Sequence, residues 1–405
     1  MIGWQNLPAF KPKKIVSHCH SITTRNFYTF LSENCNNIDY IGVKFYRKFA
    51  SNKPTMSDIH ESVKDYYGKE LEKSEDLKTN ACCTLVEPPK YIKNILSKIH
   101  DEVMSKYYGC GLTIPNKLEG LKVLDLGSGS GRDVYIASKL VGESGQVIGV
   151  DMTEEQLDVA HKHIDYHTEA FGFKTSNVKF IKGNLDELDT LGLDKGSFDL
   201  IISNCVINLV KDKQKVLNDV YDLLKPGGEM YFSDVYSDRR IPQELQDHPV
   251  LWGECLSGAL YWNDFLNFAQ KAGFTDPRSM ESRPITVENP ELEELLGNIK
   301  FFSVTYRLFK IEGLEKDCED YGQALMYKGG IEYIGQSFHL DGHHEFLKGK
   351  VMPVCGNTYK MIHETRYRDH FEFYGTWDTH YGIFEGCGGA MPFSAEGSSD
   401  EADCC

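Results

Sequence analysis

The chain has 405 residues, 41% hydrophobic and 26% charged, a composition typical of soluble globular proteins with material for more than one core. Its formal charge of −16 argues against nucleic acid or a membrane surface as the main partner, because both select a basic footprint. No run of about 18 apolar residues offers a membrane span. Twelve cysteines are too few to staple a secreted scaffold of this length, so the thiols are expected in a reducing compartment.

Residues 1–56 stand apart. The first fifty carry seven Lys/Arg against Glu33 and Asp39, a balance of +5 that leaves −21 on the rest. They read as a disordered extension; an organelle transit peptide is the second reading of so basic and acid-poor a start. The expected location is the cytoplasm, or the mitochondrion under that second reading. From Ser57 a helix is expected through Val63 and Tyr66, followed by a loop at Asn80-Ala-Cys-Cys-Thr84. After Pro88-Pro89, the spacing of Ile92, Ile95, Leu96, Ile99 and Val103 predicts one helix, which ends near Tyr107-Tyr-Gly-Cys-Gly111.

Strands and helices then alternate. Lys122–Leu126, Gln146–Asp151, Asn177–Ile181, Phe198–Ser203 and Glu229–Ser233 read as buried strands. Helical patterns lie between them: one from Asp133, one capped by Thr153, and one through Val216, Val220 and Leu223 that stops at Pro226-Gly-Gly228. Single helices between strands demand an α/β fold, a doubly wound, mostly parallel sheet, expected over residues 57–236. Residues 237–310 break the alternation, with a helical stretch through Leu256, Leu260, Phe265 and Phe268 and a half-buried strand at 302–308. They are expected to form a small appended α+β domain. Residues 311–385 form a C-terminal region with a candidate strand at Ala324–Tyr327. Residues 386–405 read as a flexible tail bearing Cys387, Cys404 and Cys405.

Asp125-Leu-Gly-Ser-Gly-Ser-Gly131 follows a strand and opens a helix, so its backbone can approach a ligand closely. A dinucleotide loop would need glycines at 127, 129 and 132, but position 132 is Arg. Asp125 would also repel a pyrophosphate, whereas it suits the ammonium and sulfonium of S-adenosylmethionine. The cofactor set is therefore Asp125, Gly127, Ser128, Gly129 and Gly131, with Asp151 and Met152 at the ribose and Asn184 and Leu185 at the adenine. Loop, acids and spacing resemble the class I S-adenosylmethionine-dependent methyltransferases.

No general base for an oxygen or nitrogen acceptor stands out, but thiols do. Cys82 and Cys83 lie in one loop and Cys110 between two glycines; Cys205 follows the fourth strand, and Cys255 sits in the unit after the fifth. Tyr66-Tyr-Gly68, Leu77-Lys-Thr-Asn-Ala-Cys82, Tyr107-Tyr-Gly-Cys-Gly-Leu112, the glycine loop to Asp133, Ser203-Asn-Cys-Val-Ile-Asn-Leu209, Tyr231-Phe-Ser-Asp-Val-Tyr236 and Leu251-Trp-Gly-Glu-Cys-Leu256 resemble the arsenite methyltransferase family. The resemblance spans about 57–310 and fades by about 335.

It implies methyl transfer from S-adenosylmethionine to trivalent arsenic, giving mono- and dimethylated products. The implied arsenic ligands are Cys205 and Cys255. Cys110 is the implied third ligand and electron donor, and Cys82 the thiol that closes a disulfide with it. Cys83 matches no family position. The implied partners are a thiol complex of arsenic, for example with glutathione, and thioredoxin or glutathione as reductant. Trivalent arsenic is soft and thiophilic, which suits thiolates. Its lone pair needs no base. The readings that compete are a metalloid-sequestering thiol protein without turnover and a methyltransferase for a small organic acceptor. A structural zinc site lacks the C-x-x-C spacing.

Overall fold

The computed structural model describes residues 87–387 except positions 247, 249, 250, 253, 254 and 288. The N-terminal extension, the helix expected through Val63 and Tyr66, the Cys82-Cys83 loop, and Cys404 and Cys405 lie outside the described residues.

The segment after Pro88-Pro89 forms two helices, α1 (Lys90–Leu96) and α2 (Asp101–Ser105), where the apolar spacing predicts one. The break comes at His100, whose backbone is extended (φ −64°, ψ 138°) and whose ring Nδ1 accepts the Glu102 N–H at 3.1 Å. That bond satisfies one of the free N–H groups of a new helix start. Ile92, Ile95, Ile99 and Val103 still reach one core, so the period survives the kink.

Strands β1 (Lys122–Leu126), β2 (Gln146–Asp151), β3 (Val178–Lys182), β4 (Phe198–Asn204) and β5 (Leu224–Ser237) pair in parallel in the order β3-β2-β1-β4-β5. Helices α3 (Arg132–Val141), α4 (Glu154–Lys162), α5 (Ile164–Phe171) and α6 (Lys213–Leu223) connect them. One apolar layer, with Val134, Leu157 and Phe171, covers one face; another, with Val216, Leu217 and Val220, covers the other. Burial on both faces explains why these strands read as continuous apolar runs.

Residues 237–310 prolong this sheet. β6 (Leu260–Tyr261) pairs parallel to β5, and α7 (Trp262–Ala272) follows it. The helix begins after Leu256 and Leu260, which the apolar spacing had included. β8 (Phe301–Phe309) runs antiparallel to β5, and β7 (Arg278–Ile285) antiparallel to β8, giving eight strands. No helix among the described residues is long and apolar enough to cross a membrane.

Residues 311–385 fold around a core of Leu325, Tyr327, Phe338, Phe346 and Tyr367. β9 (Glu319–Asp320) pairs with β15 (Gly382–Ile383), and β10 (Gln323–Tyr327) lies between β13 (Val351–Val354) and β14 (Phe371–Tyr374). β11 (Ser337–His339) and β12 (Glu345–Leu347) make a separate pair, and α8 (Gly356–His363) follows β13. The candidate strand at Ala324–Tyr327 is thus the centre of a small sheet.

A buried polar hub joins this region to the large sheet. Glu229 on β5 is fully buried and pairs with Arg307 Nε on β8 at 2.7 Å and with Arg366. Arg307 also donates to the Leu340 carbonyl at 2.8 Å and to the Tyr367 hydroxyl at 2.9 Å. Removing one partner of such a pair strands the other's charge away from water, at a cost of about 3–5 kcal/mol. The Glu229→Gln protein is therefore expected to lose stability by about that amount in urea unfolding followed by tryptophan fluorescence.

Candidate active site

The sheet order turns at β1, which lies between β2 and β4, and ligands of open α/β sheets bind in the crevice beyond such a point. A cleft open to solvent lies there. Asp125, Gly127, Ser128, Gly129, Asp151, Met152, Asn184 and Leu185, expected from the sequence to meet a cofactor, all line it. Gly131 does not: it takes a left-handed turn (φ 92°) that starts α3. Gly127 is left-handed too (φ 74°), and a Cβ there would fall 2.4 Å from Val206.

Asp151 holds the loop in place. One carboxylate oxygen accepts the Gly129 N–H at 2.8 Å and the other the Thr153 N–H at 2.8 Å. Burial raises its pKa, and these N–H donors oppose the rise. Burial also lifts the Asp125 carboxyl well above the carboxylate range, helped by Asp133 and Asp151 and opposed by Arg132. Carboxylates so crowded and dry are eased by a cationic ligand and repel a phosphate. Arg132 itself is buried and paired with Asp133 at 2.8 Å, where a dinucleotide loop would have its third glycine.

Three of the four expected thiols converge at one side of this cleft. Cys205, just past β4, lines it; Cys110 and Cys205 form a disulfide, although their positions are 95 residues apart. Cys255 Sγ lies 3.3 Å from the Cys205 carbonyl oxygen, and all three residues are buried. The pairing differs from the expected Cys82–Cys110 bond: here Cys110 is joined to Cys205, and Cys82 lies outside the described residues. Cys110 meets Cys205 because the Cys110 loop is tied directly to the end of β4. Cys205 and Cys255 both have left-handed backbone, φ 56° and 60°, which costs a residue other than glycine and aims each thiol away from the regular path.

The tie is Asn204, a residue the sequence reading passed over. Its Oδ1 accepts the Cys110 and Gly111 N–H groups at 2.9 and 3.2 Å, and its Nδ2 donates to Gly111 O, the Tyr107 hydroxyl and Asp133. Gly111 permits this approach, because a Cβ there would lie 2.6 Å from Ser233 Oγ. Two more were missed. Burial pushes buried Asp234 up to about 7 and buried Lys213 down to about 8, each opposed by the other's charge, and Lys213 also feels Cys255. Asn204 and Asp234 lie inside the Ser203-Asn-Cys and Phe232-Ser-Asp motifs, where their position beside the thiol and at a strand end was the available signal.

The glycine turn, the acids around it and the sheet order define an S-adenosylmethionine-dependent methyltransferase, and residues 117–273 match the methyltransferase domain family. Residues 321–388 match the arsenite methyltransferase C-terminal domain, which carries the likeness beyond about residue 335, where the resemblance read from the sequence fades. The arsenite methyltransferase of Aquipseudomonas alcaligenes is 55% identical over 347 residues, 86% of this chain and 100% of that one. The human arsenite methyltransferase is 46% identical over 318 residues, 78% of this chain and 84% of its own length. The crystal structure of an arsenic(III) S-adenosylmethionine methyltransferase from Chlamydomonas reinhardtii is 51% identical with a TM-score of 0.71, covering 74% of this chain and 100% of that one. The chain belongs to the arsenite methyltransferase family. S-adenosylmethionine is its cofactor.

Because the fold favours the protonated form of Asp125, its contribution to stability is full below the ordinary carboxylate pKa and is lost as pH rises through the elevated one. Asp125→Asn is expected to match the parent protein near pH 4 and to exceed it increasingly towards pH 8. Urea unfolding of the cofactor-free protein across that range measures this.

Proposed function

We propose that the protein transfers methyl groups from S-adenosylmethionine to trivalent arsenic held by cysteine thiolates at the mouth of the cleft. The observation that carries this reading is the convergence of Cys110, Cys205 and Cys255 beside the glycine turn, with Cys205 in the wall of the cleft itself. Asp125, Gly127, Ser128, Gly129, Asp151, Met152, Asn184 and Leu185 hold the cofactor. When bound, it supplies an electrophilic methyl group on a sulfonium.

The chain's own part is to present the acceptor. Thiolates satisfy a soft trivalent ion and leave its lone pair free, so no side chain has to remove a proton. Fixing acceptor and donor side by side lowers the barrier by on the order of 7–11 kcal/mol in well-oriented systems. Buried Lys213 lies within electrostatic reach of Cys255.

Gaining a methyl group leaves arsenic formally pentavalent. Two thiols that close one disulfide and release two protons supply the two electrons that restore the trivalent state. The Cys110–Cys205 bond has the character of such an oxidised product. An external thiol, from thioredoxin or glutathione, opens it by exchange and takes the oxidation away. Repeating the cycle yields mono- and then dimethylated arsenic, with Cys82 available as an alternative partner for Cys110.

Two outcomes are expected. Cys205→Ser and Cys255→Ser each abolish methylation of inorganic and monomethyl arsenic while labelled S-adenosylmethionine still binds; turnover of both substrates by either variant would refute the ligand roles. Protein that is reduced and then freed of reductant should consume two thiols for each methyl group transferred, as counted by thiol titration alongside arsenic speciation.

A further inference from the structure

A second group of thiols lies in the C-terminal region. Cys318, Cys355 and Cys387 place their sulfurs within 4.8 Å of one another. The chain assembles them from three places. Cys318 and Cys387 flank the β9–β15 pair, where the Phe384 N–H donates to the Cys318 carbonyl at 2.7 Å and the Cys387 N–H to the Phe384 carbonyl at 3.2 Å. Cys355, fully buried, sits at the start of α8, with its sulfur 3.3 Å from the Thr358 hydroxyl. All three are free thiols. We propose that these three cysteines form a second binding site for trivalent arsenic, distinct from the methylation cleft.

The donor set selects the ion. Metal–sulfur bonds of about 2.3 Å let sulfurs this close share one atom after a small contraction. Structural zinc sites are closed by four ligands, and among the described residues the group includes no histidine or carboxylate. Trivalent arsenic is complete with three sulfurs.

Charge points the same way. Arg278 donates through Nη2 to the Cys355 sulfur at 3.9 Å, and it also pairs with Asp276 at 2.6 Å and Asp341 at 3.0 Å. Three thiolates around zinc keep one negative charge, which meets a guanidinium already shared with two carboxylates. Three thiolates around trivalent arsenic are neutral. The binding reaction balances without redox change: arsenous acid exchanges its three hydroxyls for three thiolates, and each thiol proton leaves in a water molecule. Cys318 and Cys387 are only half-buried, which leaves a route for the ion.

The full-length protein tests this with sodium arsenite and zinc chloride as probes, after reduction by a phosphine that is then removed. In a Cys205→Ser/Cys255→Ser background, which lacks the cleft pair, one equivalent of arsenic should survive gel filtration, and X-ray absorption should show a shell of three sulfurs. Adding Cys318→Ser and Cys387→Ser should remove it, because losing a ligand costs more than the about 10–100-fold lost with a ligand's supporting partner. Cys318→Ser/Cys387→Ser alone should still methylate arsenic, which checks that these variants fold. Four results overturn the proposal. They are no arsenic in the first protein, an oxygen-containing shell, arsenic that persists after the added substitutions, and stoichiometric zinc that arsenite fails to displace.

Discussion

The side-chain amide of Asn204 fastens the Gly109-Cys-Gly111 loop to the end of β4, and the closeness of Cys110 to Cys205 depends on that attachment. Both functional ends of the amide are used: the oxygen takes two N–H groups and the nitrogen serves a carbonyl, a phenol and a carboxylate. Buried polar groups earn stability only when so fully matched. Cys205 follows directly in sequence, so the residue that holds one thiol's loop also fixes the start of the other's. Two cysteines 95 positions apart thereby become close enough to share a bond.

The electrostatics of the cleft divide along the same line. On the glycine-loop side stand Asp125, Asp133 and Asp151, with Arg132 as their main local counter-charge, an arrangement that a cationic ligand relieves. On the sulfur side stand Lys213 and Asp234, held close to each other in a dry setting. A methyl donor with positive charge thus meets the acidic side of the cleft.

Much of the sheet was legible because strands buried on both faces are continuous apolar runs, and Val123-Leu124 or Leu200–Ile202 have no competing pattern. The glycine loop was legible for a related reason: Gly127 and Gly131 need left-handed backbone, which leaves its mark in composition. Other features left no local trace. The kink at His100 depends on a ring accepting one N–H, within an unbroken apolar period. The alternation of 302–308 announces a strand, but that β8 lies against β5 is decided by tertiary packing. Cys318, Cys355 and Cys387 look like scattered thiols until a two-residue strand pair and a helix start bring them together.

The length of β5 has a consequence for how this protein can be divided. β5 spans fourteen residues from Leu224 to Ser237 and pairs in regular register with β4 from Glu229, so Glu229 and Ser233, which touches the Cys110 sulfur at 3.4 Å, ride on one strand about 13 Å apart. The apparent seam near residue 310 is therefore no clean incision line. Trimming the chain there would take Arg366 and Tyr367 from Glu229 and open the strand's midpoint to water, four residues from the sulfur chemistry. Within this chain the two regions share one buried carboxylate as a common anchor.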